Sequence, residues 1–293
     1  MGTLFLVATP IGNLEDITLR ALRILREVSL IAAEDTRHTR KLLTHFDIST
    51  SLTSYHEHSG PTRTEAVVAA LATGDVALVS DAGTPLLSDP GQALVRAALA
   101  EGHTVIPIPG SSAAIAALVA SGLPTDQFTF LGFLPRKSSD RRALLARFVQ
   151  APETLILYEA PHRLLACLDD ALATLGDRNA TLARELTKVH EEFRRGRLSA
   201  LRAEYERGAA PRGEFTIVIS GAEPIVEQEA EESLERRAVE RIQALLASGV
   251  SVRETAVEVA RLTGLPRRQA YRLALEVSGE NTSQRATDSD DDA

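Results

Sequence analysis

The sequence predicts an α/β protein: two α/β domains in succession, then a small helical domain. Three observations carry this. From Leu4 to Ser121, short apolar runs alternate with helical patterns, and such runs are how strands buried on both faces of a parallel sheet read. Several runs empty into loops of Gly, Pro, Asp and Ser, the place where open parallel sheets hold ligands. At Gly122-Leu123-Pro124-Thr125 and again at Glu223 to Ala230 the pattern changes, which divides the chain into 1–123, 124–222 and 231–280, with a tail at 281–293.

Taken in order, Leu4 to Ala8 is a strand, Thr9-Pro10-Ile11-Gly12-Asn13 a turn, and a helix starts near Asp16 with Ile17, Leu19, Leu22 and Leu25. The strand Leu30 to Ala33 ends at Glu34-Asp35-Thr36, and a helix runs on to about His45. Leu52 to Tyr55 is a third strand, Thr62 to Thr73 a helix, Val76 to Val79 the central strand. A helix at Gln92 to Glu101, a strand at Thr104 to Ile108 and a helix at Ser111 to Ser121 close the first domain. Strands and helices alternating at this length imply a mostly parallel sheet with helices on both faces.

The second domain opens with a strand at Phe128 to Phe133, a helix at Ser139 to Val149, a strand at Thr154 to Tyr158 and a helix at His162 to Leu175. Strands at Ala180 to Glu185 and Phe215 to Ser220 flank a basic connection read as helical, which gives a mixed sheet. Helices follow at Glu232 to Ala247, Val252 to Leu262 and Pro266 to Val277; Pro266 suits a first helical turn, and the short Thr263-Gly264-Leu265 link makes the last pair resemble a helix-turn-helix. Asn281 to Ala293, with four aspartates against Arg285, reads as a disordered acidic tail.

The length of 293 residues accommodates two domains and a small third. A lone Cys167 excludes an intramolecular disulfide and suits a reducing compartment. No apolar stretch approaches the roughly 20 residues of a membrane helix, and the Met1 to Pro10 segment, without a positive start, reads as a strand rather than a signal peptide. These features predict a cytoplasmic protein. A net charge of −8 argues against nonspecific coating of nucleic acid.

The stretch Ala77 to Gly91, ALVSDAGTPLLSDPG, organises the chain. Asp81 and Asp89 offer carboxylates, Gly83 and Gly91 allow close approach or positive φ, and Pro85 and Pro90 stiffen the loop. It reads equally as a ligand loop and as an ordinary strand-to-helix turn. Ser111 and Ser112 open a helix whose N-terminus favours an anionic group, and simple capping needs the same residues. Neither GxGxxG nor GxxxxGK[ST] occurs, so the dinucleotide fingerprint and the P-loop are absent.

Eight ordered motifs, VATPIGNLEDIT, AAEDTRHTRKLL, SYHEH, VSDAGTPLLSDPG, PIPGSSAAIAAL, FLGFLP, LYEAPHRL and GEFTIVISG, together resemble the tetrapyrrole methylase superfamily. Within it they are similar to the branch that methylates a cytidine ribose of the small ribosomal subunit on its 2′-oxygen. The resemblance implies a class III methyltransferase fold binding S-adenosylmethionine between two α/β domains, a homodimer, and 16S rRNA, within the small subunit, as partner. It implies that Pro10 closes the first strand, that Ser80, Asp81, Ala82, Gly83 and Thr84 line the cofactor by backbone, and that Ser111 and Ser112 contact it. Leu131, Glu159, Ala160 and Thr216 are the second-domain contacts it implies. Tetrapyrrole enzymes of the superfamily begin with a GxGPG loop; ATPIGN stands here instead, which weighs against a porphyrinoid substrate.

Methyl transfer to a hydroxyl asks for in-line alignment and benefits from a base. Asp35, His38, His56, His58, Glu159 and His162 lie on candidate loops, and Asp35 with His38 is the favoured catalytic pair; Asp35 reads equally well as a helix N-cap. His56-Glu57-His58 has metal-ligand spacing but no third ligand, so no metal is expected. Basic residues for RNA gather at Arg136, Lys137, Arg141, Arg142 and Arg147, and at Arg194, Arg195, Arg197, Arg202, Arg207 and Arg212; solvated helix faces are the competing reading. Arg267, Arg268 and Arg272 suggest a third surface, with Tyr271 either stacking on a base or in the core. The alternatives to an rRNA methyltransferase are a tetrapyrrole methyltransferase and a ligand-sensing DNA-binding regulator.

Overall fold

The structure, a computed structural model, describes residues 2–56, 59–222 and 227–287, with backbone alone over 227–234 and 280–287. The chain divides into two compact units, Met1–Ala222 and Glu223–Ala293.

The first unit opens with β1 (Thr3–Val7), α1 (Leu19–Glu27), β2 (Leu30–Ala33), α2 (Thr36–His45), β3 (Leu52–Ser54), α3 (Pro61–Leu71), β4 (Val76–Val79), α4 (Gln92–Ala100), β5 (Thr104–Ile108) and α5 (Ala113–Ser121). The strands form one parallel sheet in the order β3-β2-β4-β1-β5. All four residues of β4 are buried, as a central strand covered on both faces requires. One face packs on Leu25, Ile31 and Val79, the other on Leu4, Leu71 and Leu78. The first helix begins later than its apolar pattern suggested, because the Thr18 side chain accepts the Ala21 N–H and fixes the start; Leu14–Asp16 form a separate 3-10 turn.

A second sheet follows: β6 (Phe128–Phe133), α6 (Ser138–Leu145), β7 (Thr154–Glu159), α7 (Leu164–Leu175), β8 (Asn179–Arg184), β9 (Glu192–Arg197), α8 (Leu198–Arg207) and β10 (Phe215–Ile219). Its order is β6-β7-β10-β8-β9; β6 and β7 run parallel and the other pairs antiparallel. The mixed sheet agrees with the sequence reading, but the connection before β10 is not wholly helical. Glu192–Arg197 pair with β8 as an edge strand, whose charged side chains discourage pairing with another chain.

The two sheets are distinct, yet residue 123 does not separate two compact bodies. The α5 residues Ala114, Ala117 and Leu118 pack on Ile156, Ala183 and Val218 of the second sheet. α5 follows β5 of the first sheet in the chain and packs on the second sheet, which ties the two halves together.

The second unit holds α9 (Glu227–Ala247), α10 (Val252–Thr263) and α11 (Arg267–Thr287) around a core that includes Ile242, Val259, Ala270 and Ala274. Ser251 caps α10, accepting the Glu254 N–H, and Gly264 ends it in the left-handed conformation at φ 77°. α11 runs on to Thr287, so Asn281 to Thr287, read above as tail, continue the helix; no Pro or Gly interrupts them. Residues 288–293 lie outside the described residues. Among the described residues no helix is long and apolar enough to cross a membrane.

Candidate functional site

The strand ends of the first sheet converge because their loops are tied to one another. Thr9 and Gly83, following the adjacent β1 and β4, exchange backbone hydrogen bonds of 2.9 and 3.0 Å. Gly83 sits at φ +80°, a conformation that a side chain would strain. Asp81 Oδ1 accepts the Asp35 N–H at 2.9 Å, which draws in the loop after β2. The Thr84 hydroxyl donates to the Ser111 carbonyl at 3.2 Å, which draws in the loop after β5. Leu86 and Ser88 also stand in the left-handed region, at φ 73° and 69°, at a cost of about 1 kcal/mol each. The loop beyond β4 is thus a built structure rather than a plain turn.

Between this loop and the second sheet lies a pocket of about 410 Å³, within the size range of small-molecule sites. Leu87, Phe133 and Tyr158 supply apolar surface, while Glu34, Asp81, Asp89, Glu159 and Glu214 supply carboxylates. No Lys, Arg or His stands among its described lining residues. Burial pushes the Asp89 pKa up; a Ser80 hydrogen bond opposes this and the Asp81 charge reinforces it. Glu159 is buried, its Oε1 accepting the Ala160 N–H at 2.9 Å and meeting Arg163 Nε at 3.2 Å, while Oε2 lacks a hydrogen-bond partner. A pocket so furnished suits a cation with an apolar ring system. Cys167, near Glu159, is buried and its thiol pKa is driven far up by burial, so it is no nucleophile.

A second pocket of about 300 Å³ shares Ile11, Asp81, Ala82 and Glu214 with the first. Its other walls bring His38, Lys41 and Lys188 together with Thr9, Pro10 and Ser80. Lys188 Nζ lies 2.9 Å from both Glu185 Oε1 and Glu214 Oε2. Burial would lower its pKa, but the hydrogen bonds to Glu214 and Glu185 prevail and hold it above the usual lysine value. The backbone around it is strained, with Glu185 at φ 51° and Thr187 at φ 63°. Gly12 allows the approach, since a Cβ there would stand 2.4 Å from Lys188 Cγ.

Of the residues named from sequence, Asp81, Ala82, Gly83, Thr84, Ser112, Glu159, Ala160 and Thr216 line the acid-lined pocket. Pro10 and Ser80 line the neighbouring one. Ser111 lines neither, and its hydroxyl donates to the Asp16 carbonyl at 3.4 Å. Leu131 falls at the irregularity in the β6–β7 register and its side chain packs into the core, so Phe133 reaches the pocket in its place. Missed by the sequence reading were Phe133, Tyr158, Lys188 and Glu214; FLGFLP, LYEAPHRL and GEFTIVISG contain three of them, without a signal to single them out.

Asp35 and His38 separate. Asp35 caps α2 and grips the Arg37 guanidinium, whose hydrogen bonds drive its pKa far below the carboxylate range. It lines neither pocket and is a poor base, so the capping reading prevails. His38 lines the second pocket. His56 is described, whereas Glu57 and His58 lie outside the described residues. Among the described residues no group of three His, Cys, Asp or Glu could hold a metal.

The arginines read as an RNA surface are largely engaged within the fold. Arg141 is buried against Asp170, Nε donating to Oδ2 at 2.7 Å, and is therefore no surface residue. Arg142 donates to Asp170 Oδ1 at 2.6 Å. Arg194 pairs with Glu192 and Glu204 at 2.7 Å, and Arg195 donates to the Ser121 and Ala120 carbonyls at the end of α5. Arg197 donates to the Asp177 carbonyl at 2.6 Å. Arg136 and Lys137 are exposed. A basic face that the sequence reading passed over lies on α2, where Arg37, Arg40, Lys41 and His45 line an open groove of about 620 Å³.

Comparison with known proteins adds to this geometry. Residues 3–202 match the family of Tetrapyrrole (Corrin/Porphyrin) Methylases, and residues 233–278 match the RsmI C-terminal HTH domain. A Synechocystis protein named Ribosomal RNA small subunit methyltransferase I is 50% identical over 282 residues, covering 96% of this chain and 100% of the relative. Proteins of the same name from Pseudomonas aeruginosa and Escherichia coli O157:H7 are 47% and 45% identical; the alignments cover 96% and 95% of this chain and 99% and 96% of theirs. Among solved structures, a diphthine synthase aligns with a TM-score of 0.57 at 15% identity, over 75% of this chain and 90% of that one. The uroporphyrin III C-methyltransferase of Thermus thermophilus aligns with a TM-score of 0.52 at 21% identity, over 74% and 97%. These two structural likenesses concern the fold alone.

Proposed function

The chain belongs to the tetrapyrrole methylase family, in the branch formed by the ribosomal RNA small subunit methyltransferase I proteins, and from that premise we propose that it methylates the ribose 2′-oxygen of a decoding-centre cytidine, cytidine 1402, in 16S rRNA. S-adenosylmethionine, when bound, supplies an electrophilic methyl group on a sulfonium. The acid-lined pocket fits that group, because its carboxylates complement a cationic ligand.

The observation that carries the reading is the shared wall of the two pockets: a donor on one side of Ile11, Asp81, Ala82 and Glu214 adjoins an acceptor on the other. The acceptor side holds the cations that a nucleotide needs. Lys188 stays protonated, so it serves no proton transfer; its charge holds a phosphate or steadies negative charge developing on the ribose oxygen. His38, on the same wall, takes the proton of the 2′-hydroxyl. Fixing both reactants in adjoining pockets supplies the alignment that in-line transfer demands. Lys41 belongs both to this pocket and to the basic groove on α2, which gives the RNA backbone a path to the site.

In this reading the partner is 16S rRNA in the small subunit and the enzyme is a homodimer, as the resemblance implies. The test is transfer of label from radiolabelled S-adenosylmethionine to small ribosomal subunits that lack the modification. RNA becomes labelled if the reading holds; bound S-adenosylmethionine with label passing only to a porphyrinoid, or to nothing, overturns it.

A further inference from the structure

The C-terminal unit contains a groove that methyl transfer does not use. Arg253, Ala256 and Val257 of α10 and Arg267, Arg268 and Tyr271 of α11 line a cleft of about 450 Å³. Arg253 stands three and four residues before Ala256 and Val257, and Tyr271 three and four residues after Arg268 and Arg267, spacings that bring side chains together on a helix surface. Among the described residues, Arg253, Arg267 and Arg268 take part in no ion pair, whereas nearby acids are engaged elsewhere: Glu254 with Ser251, Glu258 with Arg261 and Glu276 with Arg272. Tyr271 is 46% exposed and Val257 48%, so an aromatic ring and an apolar floor stand open among the three cations.

Folding explains neither half of this arrangement. Clustered like charges repel, and an exposed ring gains little from burial. A ligand with a flat apolar face flanked by negative charge satisfies both. We infer that the groove binds an unstacked nucleotide of the RNA substrate, the Tyr271 ring stacking on its base and Arg253, Arg267 and Arg268 taking the flanking phosphates. The inference rests on the reading of RNA as substrate and adds to it an anchoring site in the C-terminal unit. The proposed substrate is RNA, whose unpaired bases stack on aromatic side chains while cations take the flanking phosphates, and this decides for an unstacked RNA base over duplex DNA.

The experiment measures binding of the full chain to a 16S rRNA fragment carrying the decoding-centre helix, across a salt titration. It compares the wild type with Tyr271→Ala, with the double reversal Arg267→Glu/Arg268→Glu, and with Arg236→Glu/Arg237→Glu, which makes the same charge change on exposed α9 positions. Tyr271→Ala weakens binding on the order of 10-fold. The groove reversal weakens it further and flattens the salt dependence by about 0.7 per lost phosphate contact. In methylation assays the loss falls on KM for RNA, while S-adenosylmethionine affinity holds.

Groove variants that match the α9 control overturn the inference, as does wild-type preference for duplex DNA that the groove variants abolish. A wild type that binds the RNA through the groove yet labels no RNA overturns the methylation reading and leaves the groove assignment standing.

Discussion

Asp89 and Lys188 are the side chains on which the proposed donor and acceptor pockets put the clearest demands. Burial, reinforced by the Asp81 charge, raises the Asp89 pKa. The folded protein therefore holds this proton more tightly than the unfolded chain, and the stability so gained is lost as pH rises through the raised value. Once ionised, the carboxylate costs stability that a cationic ligand returns. Asp89→Asn is expected to melt at the same or a higher temperature without ligand and to bind S-adenosylmethionine about 10-fold more weakly; unchanged affinity by calorimetry contradicts the assignment. Lys188→Ala is expected to lower kcat by about 100-fold with S-adenosylmethionine affinity intact, and a loss confined to cofactor binding would move Lys188 to the other pocket. Asp89 stood out in the sequence, within a loop dense in Gly and Pro. Lys188 did not, because its importance comes from a strained turn brought against Gly12 from the other domain.

At the scale of elements, the strand-end loops of the first sheet were legible and the polar tie inside the second domain was not. Apolar runs ending in Ser80-Asp81 and Glu34-Asp35 predicted converging loops, since parallel strands present their carboxyl ends on one edge. Arg141, by contrast, sits in a basic run that looks like a surface, yet Asp170 of α7 buries it. Charge runs report composition, and only the packing of α6 on α7 decides which guanidinium turns inward. β9 was hidden for a similar reason, because an edge strand rich in Arg lacks the apolar run that marks a central one. The buried pair joining α6 and α7 carries its own consequence. Burial would raise the Asp170 pKa, but hydrogen bonds from Arg142, Ser138 and Arg141 prevail and lower it. Its stabilisation is present above the ordinary carboxylate pKa and is lost as pH falls through the lower folded value. Asp170→Ala leaves Arg141 buried without its counter-charge and is expected to cost about 3–5 kcal/mol in urea denaturation at pH 7; a cost below about 1 kcal/mol, the range of a surface pair, would contradict the role given to it.

For the whole molecule, the proposed division of labour is between an acid-lined pocket and a cation-bearing one with a common wall, built between the strand-end loops of the first sheet and the second sheet. The fold class could be read from alternation and loop composition, and the family from eight ordered motifs. Which carboxylate or cation faces which pocket could not, since that depends on two sheets meeting. The same limit explains why Asp35, sound as a sequence candidate, proved to be a helix cap. The charge contrast between the pockets makes a definite claim about chemistry: a cationic methyl donor opposite an anionic nucleotide, with a ribose oxygen at the junction. The measurement that tests it most directly is mass spectrometry of nucleosides from methylated small-subunit RNA, locating the transferred methyl to the atom. The account predicts a methyl group on the 2′-oxygen of a single decoding-centre cytidine. A methyl group on a base atom, or spread over many nucleotides, would contradict it.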